Sequence, residues 1–389
     1  MLHRFRSIAL PLMALLLASC ASRPAEPEFA ARLDALMPDL LAEEKAAGVG
    51  IAVIRDGEVV WTGTYGEQAP GVPVTLSTVF NTASIAKTIT AETVITAAAE
   101  GLIDLDEPIA GTITDTSLSS DPRYALLTPR LLMSHRAGLL NWAYAYEDGV
   151  LAFDHDPDTR FSYSGAGVEL AAEFVGAKLG KSYPEAASDL VLRPRGIEAI
   201  SLGDVPDAWN DGRLAQPMDA EGSWRAIEEV NAALMSEDDD RIGASDDLLV
   251  TVPAYAKLLV SLLAEPGSEN AQTNRREILT TLEGDPVYNC PEVSYLTCPD
   301  AYGHSIGWQV FRWGDHDVIT HSGSDAGENA LVHFSPDTGN GAVIFVNGAN
   351  GWVVMTRAVE AIGDEPEFAN YYRGLIETVL GREMPPLDR

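Results

Sequence analysis

Thr78-Val79-Phe80-Asn81-Thr82-Ala83-Ser84-Ile85-Ala86-Lys87-Thr88 marks the point where a turn-like stretch gives way to a helical one. Lysines occur only at 45, 87, 178, 181 and 257, and Lys87 alone has a serine three positions upstream. On a helix, positions i and i+3 lie one turn apart on the same face, so hydroxyl and amine can touch. A free serine is a poor nucleophile and needs a base within hydrogen-bond reach. A lysine buried against helix backbone and apolar neighbours loses proton affinity and can serve as that base. Taken alone, the pair is better read as an exposed Ser/Lys couple on a solvated helix face.

Further segments change that balance. Downstream come Leu131-Leu132-Met133-Ser134-His135-Arg136-Ala137-Gly138-Leu139, Pro157-Asp158-Thr159-Arg160-Phe161-Ser162-Tyr163-Ser164-Gly165 and Ile319-Thr320-His321-Ser322-Gly323-Ser324. Together with Ser84-Ile85-Ala86-Lys87 they resemble the serine β-lactamase and penicillin-recognising family. The nearest branch is that of the class C β-lactamases, D-alanyl-D-alanine carboxypeptidases and related esterases. The resemblance runs from about Thr78 to Asn347 in the family's order. It includes Glu100–Pro108, similar to the segment after the nucleophile helix, and Leu192–Ile197, in the place of a Pro-Leu-Gly-Met stretch.

The N-terminus supplies an address. Basic His3, Arg4 and Arg6 precede an apolar run from Ile8 to Leu17, too short to span a membrane and ending in small residues. Residues 1–19 therefore read as a signal peptide. Leu17-Ala18-Ser19-Cys20 resembles a bacterial lipoprotein cleavage box, which implies lipidation of Cys20; an ordinary cut near Ala21 is the alternative. With alanine rather than aspartate after the cysteine, the expected location is the periplasmic face of the cell envelope, on the outer membrane. Residues 20–28 are then a tether, and 29–385 a single domain.

Two cysteines remain, Cys290 and Cys298. In an oxidising compartment they can close a small loop worth about 2–3 kcal/mol. A free buried pair is the alternative, and zinc spacing is lacking. The formal charge of −32 argues against nucleic acid as a partner, since no Lys/Arg cluster offsets it. The Glu237–Asp240 run lacks the glycine and glutamate of an EF-hand loop and reads as solvated. Asp154-His155-Asp156 and His316-Asp317 are weaker still. No metal and no cofactor are expected.

Periodicity gives an α+β architecture. Phe29, Leu33, Leu36, Leu40 and Leu41 follow helical spacing up to Gly48. Strand-like Ile51–Arg55 and Glu58–Thr62 flank Asp56-Gly57, a hairpin signal. From Ala91 to Leu263 the text is mostly helical and loop-like. Strand patterns return at Ile306–Phe311, Asp317–Thr320, Ala330–Phe334 and Ala342–Val346, followed by helical Trp352–Ile362 and Phe368–Leu380. The expected fold is one antiparallel sheet from both chain ends, flanked by helices, with a mostly helical insertion at about 91–300. That is also the β-lactamase/transpeptidase-like fold the resemblance implies.

The resemblance implies acyl transfer. Ser84 is the expected nucleophile, with Lys87 and Tyr163 sharing its proton. A tyrosine helps only as a phenolate favoured by positive neighbours, Lys87 being one, or as a proton relay. Backbone N–H groups of Ser84 and Ser324 are the expected oxyanion hole, and Gly323 permits close approach of substrate. His321 stands where the family often has lysine, so its charge is expected to vary near neutral pH. Gly165 stands where β-lactamases and carboxypeptidases have an asparagine that holds the substrate amide. An ester, an amide or a D-amino-acid peptide is thus a better expected substrate than a β-lactam. His135 reads as structural. The competing reading, favoured by Gly165 and His321, is a non-catalytic cell-envelope scaffold or sensor.

Overall fold

A computed structural model of the chain describes residues 27–203, 205–209, 211–226, 243–246, 248–385 and 387. The signal segment, Cys20, all of the tether before Pro27 and the acidic 237–240 run lie outside the described residues.

A nine-stranded antiparallel sheet organises the molecule. Its first strands are Gly48–Arg55 (β1), Glu58–Ala69 (β2) and Val72–Pro73 (β3). Asp56 and Gly57 both have positive φ, 51° and 75°, the handedness that matches strand twist in a two-residue hairpin. Three further short strands, Val79–Asn81 (β4), Ile200–Leu202 (β5) and Leu248–Thr251 (β6), form a separate sheet in the order β4-β6-β5. Late in the chain come Thr280–Thr281 (β7), Ala301–His304 (β8), Gln309–Trp313 (β9), His316–Asp325 (β10), Glu328–Phe334 (β11) and Gly341–Val346 (β12). The large sheet runs β3-β2-β1-β12-β11-β10-β9-β8-β7. Chain ends thus meet at its centre, where β1 and β12 pair from Val49↔Val346 to Ile54↔Gly341.

Nine α-helices surround these strands among the described residues. They are Glu28–Glu44 (α1), Ala86–Ala99 (α2), Pro129–Met133 (α3), Gly165–Leu179 (α4), Tyr183–Ala187 (α5), Val252–Ala264 (α6), Glu269–Arg276 (α7), Gly351–Ile362 (α8) and Pro366–Leu380 (α9). Strand residues alternate faces, so the central strands serve two cores. Val49, Ile51, Val53, Leu331, Ile344 and Val346 pack with α1, α8 and α9. Ala52, Ile54, Ala330, Val332, Val343 and Phe345 pack with the helical region instead.

α2 is the axis of that second core. Every residue from Ala86 to Ile95 is buried, so the helix has no solvated face. Its polar side chains find internal partners: Thr88 Oγ1 donates to Ile85 O at 2.7 Å, and Thr93 Oγ1 to Ile89 O at 2.7 Å. Glu92 accepts two 2.7 Å bonds from Arg275 and a 2.9 Å bond from Trp308 Nε1. The three-stranded sheet is the main departure from the sequence expectation of a helical middle. Cys290 and Cys298 are joined in a disulfide.

Candidate active site

The Asn81–Lys87 segment is held at a sheet-to-helix junction. β4 pairs with β6, and Thr82 continues the link through N–H and Oγ1 bonds to Leu248 O, at 3.0 and 3.1 Å. Residues 83–85 form a 3-10 turn that feeds α2. Ala83 has φ of 46°, in the left-handed region that a β-carbon disfavours, and its N–H donates to Asn81 Oδ1 at 3.1 Å. Such backbone persists only where its surroundings impose it. Ser84 follows, and it is the single residue of 81–90 that is not buried.

Lys87 lies one turn on, 1% exposed. Its Nζ donates to Ser84 Oγ at 3.0 Å and to the carbonyl of Ser245 at 2.6 Å, and it sits 5.0 Å from the centre of the Tyr163 ring. The pair is therefore not a solvated surface couple. Ser245 is held in turn: its Oγ donates to Glu169 Oε1 of α4 at 2.7 Å, and the adjoining Ala244 N–H donates to the same oxygen at 3.0 Å. Ser245 and Glu169 are members that sequence reasoning missed. A carbonyl acceptor has no residue-type signature, and Glu169 looks like any helical glutamate.

Tyr163 is bonded to Ser84. Burial pushes its phenol well above the usual tyrosine range, the Ser84 bond pulls partly back, and Asp246 adds to the rise. The phenol is therefore neutral around pH 7. His135 packs against it, ring centres 4.5 Å apart. At φ of 58°, His135 ends the turn after α3, and its Nδ1 accepts from Ser164 N at 3.2 Å. This agrees with a structural part.

β10 forms the opposite wall. Its pairing with β9 ends at Thr320↔Gln309, while pairing with β11 continues to Asp325↔Glu328. From His321 onward one edge of β10 thus lies open beside the 3-10 turn. Gly323 fits there closely: a β-carbon on it would lie 3.2 Å from Ser84 N. Ser324, the next residue, is exposed.

His321 departs from expectation. It is 2% exposed, and its Nδ1 bonds the Ser322 carbonyl at 2.7 Å. Burial, with repulsion from Lys87 second, pushes the imidazole down to about 3. His321 is thus neutral around pH 7, and the charge expected to vary near neutrality is lost to desolvation. His304, buried beside Phe161 and His135, is pushed down to about 3 by burial.

Gly165 opens α4, with its N–H on Asn141 Oδ1 at 2.8 Å. The space of its missing side chain holds the Trp142 indole. Elsewhere, His155 bonds Asp154 at 3.2 Å and His316 bonds Glu365 at 2.6 Å. Among the described residues no group of three His, Cys, Asp or Glu side chains could hold a metal ion.

Comparison with known proteins follows the same outline. The β-lactamase family model matches residues 33–364. A D-aminopeptidase of Gluconobacter oxydans (strain 621H) is 27% identical over 51% of this chain and 40% of its own length. Esterase EstB of Burkholderia gladioli is 28% identical over 43% of this chain and 50% of its own. The chain thus spans about half the length of these curated relatives. The D-amino acid amidase of Ochrobactrum anthropi SV3, solved with D-phenylalanine, superposes with a TM-score of 0.67 at 20% identity, over 87% of this chain and 100% of that one. That likeness shows a shared fold. With a family match across most of its length and the same architecture, the chain belongs to the β-lactamase family.

Proposed function

We propose that this protein is a serine hydrolase that works through an acyl-enzyme on an ester, an amide or a D-amino-acid peptide. The observation that carries the reading is the 3.0 Å contact of a buried Lys87 Nζ with Ser84 Oγ, Ser84 being the one half-buried residue on an otherwise buried turn. Esterase and D-aminopeptidase relatives support the reaction class. Ser84 Oγ attacks the substrate carbonyl, and its proton passes to the Lys87/Tyr163 pair. The oxyanion rests on the N–H groups of Ser84 and Ser324. Losing one such donor typically costs ~3–4 kcal/mol of barrier. Tyr163 returns the proton to the leaving alcohol or amine, the ester to Ser84 forms, and water later cleaves it by the reverse relay. The indole at Gly165 supports a substrate other than a β-lactam, because it fills the place of the side chain that would hold the amide.

A fluorophosphonate probe tests the nucleophile. Labelling should vanish in Ser84→Ala, and both Ser84→Ala and Lys87→Ala should lose more than about a hundredfold in kcat, singly or together, because they act as a unit. Folded wild-type protein that resists labelling would instead support the scaffold or sensor. A screen of p-nitrophenyl esters, a chromogenic cephalosporin and D-alanyl peptides sorts the substrates. The proposed address is the cell envelope, facing the periplasm, through a lipid on Cys20. Cys20→Ser should release the protein from membranes without loss of activity, and a soluble, unacylated wild type would overturn that address.

A further inference from the structure

Trp142 and Gly165 make a matched pair. A β-carbon at Gly165 would lie 2.4 Å from Trp142 Cζ2, 2.6 Å from Cη2 and 2.9 Å from Cε2. Gly165 has no left-handed backbone that would demand glycine, so space alone excludes a side chain. The indole is also not a loose rim residue. Residues 140–142 are stitched along the stretch that follows Tyr163: Ser164 Oγ donates to Leu140 O at 2.9 Å, and Gly165 N–H to Asn141 Oδ1 at 2.8 Å. Ala166 N–H adds a bond to Asn141 O at 3.0 Å. Trp142 itself is half-buried.

We infer that Trp142 is a specificity-determining residue: it forms an apolar wall on the acyl side of the site and selects acyl groups with a flat or branched hydrocarbon next to the scissile carbonyl. This rests on the hydrolase reading above for the position of the acyl group. An acylamide stacked on the apolar face of an indole gives up bonds to water that the ring face does not replace, which disfavours it by on the order of tenfold or more. A hydrocarbon or phenyl group gains burial and ring contact there, about three- to tenfold for an aromatic pair.

The test compares p-nitrophenyl phenylacetate with the p-nitrophenyl ester of N-acetylglycine. The ratio of their kcat/KM values, phenylacetyl over acetylglycyl, should fall about tenfold in Trp142→Ala. Trp142→Phe, which keeps an apolar ring, should retain most of it and guards against misfolding of the alanine variant. In the double variant Trp142→Ala/Gly165→Asn the ratio should fall further, because the vacated space admits a carboxamide. The same two esters are titrated calorimetrically against Ser84→Ala and Ser84→Ala/Trp142→Ala, so that binding is read without turnover. An unchanged ratio in both kcat/KM and Kd, in variants with native circular dichroism, overturns the wall. A Kd ratio that falls on removal of Trp142, found together with a wild type whose Ser84 neither turns over esters nor takes a fluorophosphonate label, upholds the wall and overturns the hydrolase reading.

Discussion

Gly323 lies so close to Thr82 that a β-carbon on it would sit 2.1 Å from the Thr82 carbonyl oxygen. The strand proposed to bind substrate is thereby pressed onto the turn that carries Ser84. Since the obstacle is backbone on both sides, Gly323→Ala must separate β10 from the turn. One oxyanion donor would move out of place, so kcat for a p-nitrophenyl ester should fall by roughly a hundredfold or more. Overpacking should lower stability by about 1–3 kcal/mol. An alanine variant with wild-type kcat would show that these two segments do not form the oxyanion site.

A second expectation concerns pH and His321. With the imidazole held neutral by burial down to about 3, carboxylate-bearing and uncharged esters should give kcat/KM profiles of the same shape between pH 6 and 8. His321→Asn should leave that shape unchanged. Loss of activity confined to the anionic ester as pH rises through about 6.5 would mean that the imidazole is solvated and charged.

Stability should respond to the same burial. Burial pushes His304 and His321 down to about 3 in the folded chain, against about 6.5 for a free histidine. Between those values the unfolded chain holds more protons. Their contribution is therefore complete above pH 6.5 and is lost progressively as pH falls towards 3. Each histidine adds a slope of at most about 1.4 kcal/mol per pH unit. Urea midpoints at pH 7.5 and 5.5 in a Glu328→Gln background measure it, and equal midpoints there would contradict the burial of these rings. Glu328 acts in the opposite sense, because burial raises its carboxyl well above the usual range and the folded form holds the extra proton.

Two structural features should separate stability from chemistry. The Cys290–Cys298 loop packs on α9, where a β-carbon at Gly374 would lie 3.2 Å from Val293 and 3.4 Å from Pro291. Replacing both cysteines by alanine should cost about 2–3 kcal/mol in urea titrations and leave kcat unchanged. A large loss of kcat at a temperature where the variant is folded would tie the loop to the site.

Glu92 offers a sharper case. Both it and Arg275 are buried, so Glu92→Gln leaves an uncompensated guanidinium inside the core at a cost of about 3–5 kcal/mol. Replacing Glu92 and Arg275 together by leucine and methionine should recover much of that loss. Failure of the double variant to exceed the single one would mean that Trp308, not Arg275, is the partner that matters.

Local pattern carried the elements whose cause is local. The Asp56-Gly57 hairpin, α1 and α8 follow from turn chemistry and apolar periodicity; the observed bounds of the two helices lie close to the expected ones, while β2 runs on from the expected Thr62 to Ala69. β10 shows where pattern stops. The sequence predicts Asp317–Thr320, but the strand runs from His316 to Asp325, because pairing with β11 imposes extended backbone on Ser322, Gly323 and Ser324. Those residues have little strand preference of their own. β9 begins at Gln309 rather than Ile306, since Gly307 turns there with φ of 69°. β5 and β6 went unread because three or four residues are too few to show a period.

By itself the sequence determined that Ser84 and Lys87 can meet, since a spacing of three places them one turn apart on the same face. It also determined the sheet built from both chain ends and the glycine at 323. Tertiary structure decided what those groups experience. Lys87 reaches the Ser245 carbonyl 158 positions away, His321 is neutralised by burial rather than left to titrate, and Trp142 takes the space in front of Gly165. Desolvation and excluded volume depend on which distant segments pack together, and no spacing along the chain encodes them.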